Sequence, residues 1–298
     1  MTSTSTTSPS PTSFRADVRR IDVTLVLNRR DLLITTAKWA SLLTDPLGGP
    51  RRGPRILIYH QVGAGSGLEM DVSVQAIRRQ IDWLEDHGRV VDLETALSAL
   101  EDPHSNDMYV LTFDDGHAGV FEHAYPLLAG RGLPFTLYLT TGPIDAGGSL
   151  HGDDRMQVLS WREVEEMMGS GLVTIGAHSH EHLDMRHHDE ERLRNDLATC
   201  DSVLESRVGV KPRHFAYPWG HWSVAGDRLV REFYDSAVLG SGRSIHAGDD
   251  VYRLHRVPIM ARDSDLLFRR KMWGGFRLEN ALRDLRDSLT SSSGPRAP

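Results

Sequence analysis

The chain has 298 residues, 39% hydrophobic and 25% charged, with a formal net charge of -7 when His is neutral. This is the make-up of a globular protein able to bury a full core. The acidic balance excludes a general nucleic-acid binder, which needs a domain-wide basic excess for phosphates.

Residues 1–13 are almost wholly Ser, Thr and Pro and are expected to be disordered. Residues 14–54 form an N-terminal extension and linker. In it, Ile21 to Leu27 has strand character, and Leu32, Leu33, Thr36, Trp39, Ala40 and Leu43 fall at helical spacing. Asn28-Arg29-Arg30 has a faint likeness to a twin-arginine signal, but Lys38 interrupts the apolar stretch and no small-residue cleavage site follows, which favours a helix. Pro and Gly crowd residues 45–54. No apolar run approaches the ~20 residues that span a bilayer. The expected location is cytoplasmic or peripheral at the bacterial cell envelope.

From Arg55 onward, strand and helix patterns alternate, as in parallel βα units. Arg55 to Tyr59 is an apolar strand ending on His60. Ile77, Ile81 and Leu84 mark a helix over residues 74–87 that Gly88 stops. Val110, Leu111 and Phe113 form a short strand ending on Asp114-Asp115-Gly116. A helix over 120–129 is interrupted by Pro126, and residues 134–141 form the next strand. A long Gly-rich, acidic loop spans 142–157 and is expected to cover a site or to contact substrate. Ser160 and Glu163 fit a capping box. Residues 173–177 form a strand leading into His178-Ser179-His180-Glu181-His182, and a helix spans 190–206. Residues 214–217 make a strand ending at Pro218-Trp219-Gly220, a helix spans 223–234, and late strands fall at 237–239 and 257–260. His60, Asp114, Asp115, His178 and Tyr217 all sit at C-terminal strand ends, the catalytic rim of a (β/α) barrel.

Two adjacent carboxylates at a strand end are read either as a plain Asp-Asp-Gly turn or as a site, because a buried charge needs a cation or hydrogen bonds. The histidines tip that choice. One carboxylate and two neutral imidazoles suit Zn²⁺ or a similar divalent ion such as Co²⁺, with a position left for water. His178 and His182, four apart, are expected on one side of a helical turn, with His180 pointing elsewhere. The lone cysteine, Cys200, excludes an intramolecular disulfide and sits in a helix pattern as a small core residue.

Thr112-Phe113-Asp114-Asp115-Gly116, His178-Ser179-His180-Glu181-His182 and Phe215-Ala216-Tyr217-Pro218-Trp219-Gly220 together resemble the polysaccharide deacetylases, the NodB-homology or carbohydrate esterase family 4 group. The resemblance runs from about Arg55 to Met260. It implies a distorted (β/α) barrel over 55–262, with residues 263–298 as a C-terminal extension whose tail is disordered. It also implies removal of N-acetyl groups from a polysaccharide or glycan by metal-activated water. Carried over, Asp114 is the catalytic base, and Asp115, His178 and His182 hold the metal. The backbone N–H of Tyr217 stabilises the oxyanion, and Tyr217, Pro218 and Trp219 form a substrate-binding turn.

Ala216 stands where the family often carries an Arg that orients the base, and Arg213 is out of register. That form is similar to the poly-N-acetylglucosamine subgroup. There the barrel is circularly permuted and the strand before His60 comes first, which makes His60 the general acid. A His at a strand end is otherwise a hydrogen-bonded core residue, and His255 is the reserve acid. Two further functions stand beside N-deacetylation: an O-acetyl esterase on an acetylated polysaccharide, and a non-catalytic glycan-binding protein. Trp219 and Trp222 are read as sugar-stacking or core residues. The apolar and basic stretch 266–276 is read as a membrane-surface segment or as a helix docked on the barrel.

Overall fold

The parallel pairing expected from Arg55 onward is found in the computed structural model, which describes residues 53–274 apart from 101, 103–106 and 241. The strands are β1 (Arg55–Tyr59), β2 (Gln61–Val62), β3 (Asp71–Val72), β4 (Arg89–Val90), β5 (Met108–Phe113), β6 (Phe135–Leu139), β7 (Val173–Ala177), β8 (His214–Ala216), β9 (Ser236–Val238) and β10 (Arg256–Pro258). One eight-stranded sheet follows the path β10-β1-β5-β6-β7-β8-β9, with β4 on β5, while β2 and β3 pair separately. Leu254, just before β10, bridges in parallel to Val238 in β9. The path thus nearly closes into a distorted barrel, with the first strand lying between the last and β5.

Alternation along the strands sorts the core. Ile56, Val110, Tyr138, Ala216, Val238 and Leu254 form one buried cluster inside the barrel, which Leu93 and Ala96 join. Leu57, Tyr59, Leu111, Phe113, Leu137 and Phe215 point the other way into a larger cluster against the helices. Those helices are α1 (Val74–His87), α2 (Leu93–Ser98), α3 (Tyr125–Ala129), α4 (Thr141–Ala146), α5 (Trp161–Met168), α6 (Glu190–Val208), α7 (Val224–Phe233) and α8 (Asp265–Met272). Local chemistry sets their ends. Ser73 caps α1, Gly88 follows it, and Ser160 with Glu163 forms a complete capping box on α5. Pro126 does not break the 120–129 segment. A π-turn over Val120–Ala124 leads into α3, whose first turn holds the proline, where a missing N–H costs nothing.

The loop expected over 142–157 is partly structured: α4 occupies its start and a short 3₁₀ turn spans Leu150–Gly152. Helix α8 docks on α1, with Phe268 against Trp83 at 5.8 Å and Arg79 on Asp265 at 3.2 Å. Docking, rather than a free surface segment, is therefore what its buried Phe268 and Met272 satisfy. Among the described residues no helix is long and apolar enough to cross a membrane. The strand at 21–27, the helix at 32–43 and the Arg29-Arg30 pair lie outside the described residues, as do residues 275–298.

One part-buried contact between α6 and the residue that ends α7 carries a stability prediction. Asp201 in α6 accepts a hydrogen bond from the Tyr234 hydroxyl at 2.9 Å, and burial pushes its pKa up to about 6. A carboxyl whose folded pKa exceeds its unfolded value adds stability below the unfolded pKa and loses it as pH rises through the folded one. Asp201→Asn keeps the acceptor and removes the charge. After discounting for solvent exposure, it is expected to raise stability by about 1 kcal/mol at pH 8. Little change is expected at pH 4, and thermal melts at the two pH values check this.

Candidate active site

Because every strand on the sheet path is parallel, the residues following β1, β5, β7 and β8 share one rim. The register pairs Tyr59 with Phe113, and the Asp114 N–H donates to the Tyr59 carbonyl at 3.0 Å. His60 and Asp114 are thereby neighbours across two strands. The His178 N–H donates to the Leu139 carbonyl at 2.9 Å, fixing the start of the histidine segment beside β6.

The two carboxylates are buried and have different partners. Asp115 has a left-handed backbone (φ 70), followed by Gly116 (φ 78), and this turn separates its side chain from that of Asp114. Asp115 Oδ1 lies 3.3 Å from both His178 Nε2 and His182 Nε2 and has no hydrogen-bond donor. Donors ~2.0–2.2 Å from one tetrahedral ion lie about 3.3–3.5 Å apart, so this orphaned oxygen and the two nitrogens fit a Zn²⁺-type ion. Among the described residues this is the group of His, Cys, Asp or Glu side chains placed to hold a metal.

Supporting contacts orient each of the three. His178 Nδ1 faces the Ala216 carbonyl at 2.7 Å, so Nδ1 carries the proton and Nε2 offers its lone pair. Asp115 Oδ2 is held by His117 Nε2 at 3.2 Å, and His117 is fully buried. The helical turn expected for residues 178–182 is not formed. Ser179 (φ 66) and His182 (φ 57) are left-handed instead, and this irregular path returns His182 to His178 at a ring separation of 4.9 Å. Asp196 in α6 secures it by accepting from the His180 and Glu181 N–H groups at 3.1 and 2.9 Å. His180 turns away to Thr141, with Nδ1 at 2.9 Å from its hydroxyl.

Asp114 faces a different partner. Arg256 in β10 is fully buried and grips it bidentately, with both N–O distances at 2.6 Å, and reaches Thr112 Oγ1 at 3.0 Å. Burial alone raises the Asp114 pKa, but the Arg256 charge and hydrogen bonds override it and hold the carboxyl below its ordinary value. Burial likewise pushes the His60 imidazole below its ordinary value, against the pull of Asp115 and Asp114. Its Nδ1 has no hydrogen-bond partner. His255, the reserve acid, contacts Arg243. Arg213 lies at the surface on Glu94 and Asp235.

The Tyr217-Pro218-Trp219 turn divides. The Tyr217 N–H donates to the Val238 carbonyl at 3.1 Å, and its ring is buried with the hydroxyl 3.3 Å from Asp227. The expected oxyanion role of that amide is therefore not carried by this geometry: sheet pairing commits the donor elsewhere. Pro218 is buried in the turn. Trp219, left-handed at φ 61 and 56% exposed, stands over His182, its indole N–H 3.3 Å from the His182 carbonyl. Trp222 is covered by the Arg253 guanidinium at 3.9 Å. Left-handed residues other than glycine are costly, and those described are Asp115, His151, Ser179, His182 and Trp219. All five belong to this one rim.

Residues 101–233 match the family model for polysaccharide deacetylases. The chain thus carries a polysaccharide deacetylase domain, and its relatives and structural neighbours are named for the same activity. The chain is a hydrolase of the class acting on carbon–nitrogen bonds other than peptide bonds. YxkH of Bacillus subtilis, named for the same family, is 24% identical over 208 residues, 68% of this chain and 70% of its own length. The poly-beta-1,6-N-acetyl-D-glucosamine N-deacetylase of Escherichia coli K12 is 24% identical over 225 residues, 62% of this deacetylase chain but 34% of that longer protein. Among solved structures, IcaB from Ammonifex degensii is 25% identical with a TM-score of 0.63, covering 75% of this chain and 97% of that one. The deacetylase PplD of Streptococcus pyogenes has the same fold, with a TM-score of 0.63 at 20% identity over 75% and 99% of the two chains.

Sequence reasoning had passed over Arg256, His117 and His151 as site residues. His117 follows the Asp-Asp-Gly turn directly, so its position was a usable signal. The signals for Arg256 and His151 were weaker, because contacts between distant segments place both.

Proposed function

We propose that this deacetylase removes N-acetyl groups from an amino-sugar polysaccharide, poly-N-acetylglucosamine being the substrate class that the named relatives suggest. The observation that carries the reading is the split of the Asp114-Asp115 pair, one carboxylate facing two imidazoles and the other a guanidinium. Asp115, His178 and His182 would hold the divalent ion. When bound, such an ion supplies a nucleophilic water at neutral pH and polarises the acetamide carbonyl.

The chain's own residues do the rest. Asp114, kept ionised by Arg256, accepts the proton of the attacking water as general base. Arg256 holds the carboxylate in one orientation, so the base does not swing toward the histidines. His60, next to Asp114 on the adjoining strand, delivers a proton to the leaving nitrogen. That step is obligatory for an amide, because an amide anion is a far poorer leaving group than an alkoxide. Trp219 offers its exposed face to a sugar ring beside His182, and its removal raises KM more than it lowers kcat.

Arg256 also weighs against the reading of a degenerate, non-catalytic site. With Ala at position 216, the guanidinium that pairs with Asp114 comes from Arg256 on another strand, which supports the assignment of Asp114 as base. His60→Ala is expected to lower kcat on N-acetylglucosamine oligomers by about 10²–10⁴-fold and to slow an O-acetyl substrate much less. Equal losses on both would remove His60 from the acid role. His178→Ala is expected to lose both metal and turnover, read by metal analysis of the purified variant. Assays on N-acetylglucosamine oligomers and on acetylated xylan separate amide from ester specificity. Faster ester cleavage would replace the proposal with the esterase reading.

A further inference from the structure

His182 has a second nitrogen, and its partner comes from the segment between α4 and α5. His151 Nε2 lies 3.1 Å from His182 Nδ1, and the His151 ring stacks on Trp219 at 5.3 Å and 19°. We propose that His151 is a positioning residue for the metal, fixing the tautomer and ring orientation of His182. This rests on the reading of Asp115, His178 and His182 as the ligand set.

The placement is built by the scaffold. Ser149 and Gln157 bridge in antiparallel fashion, closing the segment on itself, and Leu150 is buried with its N–H on the Met156 carbonyl at 2.9 Å. The far end is stitched to the catalytic turn, Ala118 N–H to the Gln157 carbonyl at 2.9 Å and Leu159 N–H to the Gly116 carbonyl at 2.8 Å. The Gln61 side chain adds a bond to the Arg155 carbonyl at 2.7 Å. Next to the buried Leu150, His151 takes a left-handed backbone (φ 53, ψ 18), a region that only a few per cent of non-glycine residues occupy. That conformation carries its ring to His182 and Trp219.

The hydrogen-bond arithmetic fixes the direction. A neutral His182 that offers the Nε2 lone pair carries its proton on Nδ1. That proton needs an acceptor, and His151 Nε2 is the atom in reach. Because the same imidazole stacks on Trp219, whose indole N–H also bonds the His182 carbonyl, three rings brace one another around the ligand. His178 has the Ala216 carbonyl as its counterpart, so both imidazoles of the set are oriented through Nδ1.

Zn²⁺ affinity, measured by chelator competition on the full-length protein, tests this without relying on turnover. His151→Ala is expected to bind Zn²⁺ about 10–100-fold more weakly than the parent. His151→Gln, whose carbonyl accepts the same proton but is a poor zinc ligand, is expected to recover most of that loss. The His151 ring is largely exposed, so melting of the metal-free variants should match the parent. An Ala variant that binds within threefold of the parent overturns the inference. A Gln variant as weak as Ala also overturns it, since the role would then require an imidazole. A parent chain that binds no stoichiometric Zn²⁺ instead overturns the ligand-set reading itself.

Discussion

Asp114→Asn leaves the protein able to bind a divalent ion but lowers kcat by about 10²–10⁴-fold, the contribution of a positioned general base. Asn has the shape of Asp and keeps one oxygen for Arg256, so the turn at Asp115 and the faces of His178 and His182 are expected to stay in place, although the buried guanidinium loses its counter-charge and the fold is weakened. What it lacks is a lone pair basic enough to take a proton from water. The loss therefore falls on turnover and not on metal affinity. Kinetics on metal-loaded variant, beside Zn²⁺ competition on the same preparation, check both halves. Near-full activity with metal present would remove Asp114 from the base role.

The second large effect belongs to Arg256. Its guanidinium is fully buried and pairs bidentately with Asp114. Removing one partner of such a pair leaves an uncompensated charge in a dry site, so Arg256→Met is expected to cost about 3–5 kcal/mol at neutral pH. The sign with pH follows from the direction of the shift. In the parent, the Asp114 pKa lies below its ordinary value despite burial, because Arg256 outweighs desolvation. Its contribution to stability is present above the unfolded pKa and lost as pH falls through the folded one. In the Met variant burial acts unopposed, the folded pKa rises, and the penalty shrinks as the medium is acidified. The acidic limb of kcat/KM should move up with it, from below the usual Asp range to above it. Arg256→Lys restores charge without the planar fork and is expected to fall between the two. Denaturant melts and kcat/KM profiles over the same pH range read both effects. An unmoved acidic limb in a folded Met variant would mean that Arg256 does not set the base.

Much of this site was legible along the chain because strand ends carry local signals. An apolar run ending on Asp114-Asp115 or on His178 marks a C-terminal rim position in any parallel barrel. The order of the elements after Arg55 followed in the same way from alternating periods of two and 3.6. Arg256 did not, for a physical reason. It lies 142 positions from Asp114, and strand pairing of β1 with both β5 and β10 brings the two together. In sequence it reads only as a basic residue after Leu254-His255. The helical turn expected over 178–182 failed because spacing of four does not require a helix: left-handed residues at 179 and 182 place the rings together as well. The Tyr217 amide was misjudged for a related cause, since nothing in the sequence tells whether a strand-end N–H is free or, as here, engaged by the next strand.

On the proposed reading, a divalent ion at Asp115, His178 and His182 turns this rim into an N-deacetylase. The most direct test of that reading is product analysis of N-acetylglucosamine oligomers incubated with purified, Zn²⁺-loaded protein, with and without chelator. Acetate and free amine are expected in equal amounts, stopped by chelator and restored by added Zn²⁺. Acetate release that persists after complete metal removal, or no amine formed by fully loaded protein across a panel of N-acetylated glycans, would contradict it.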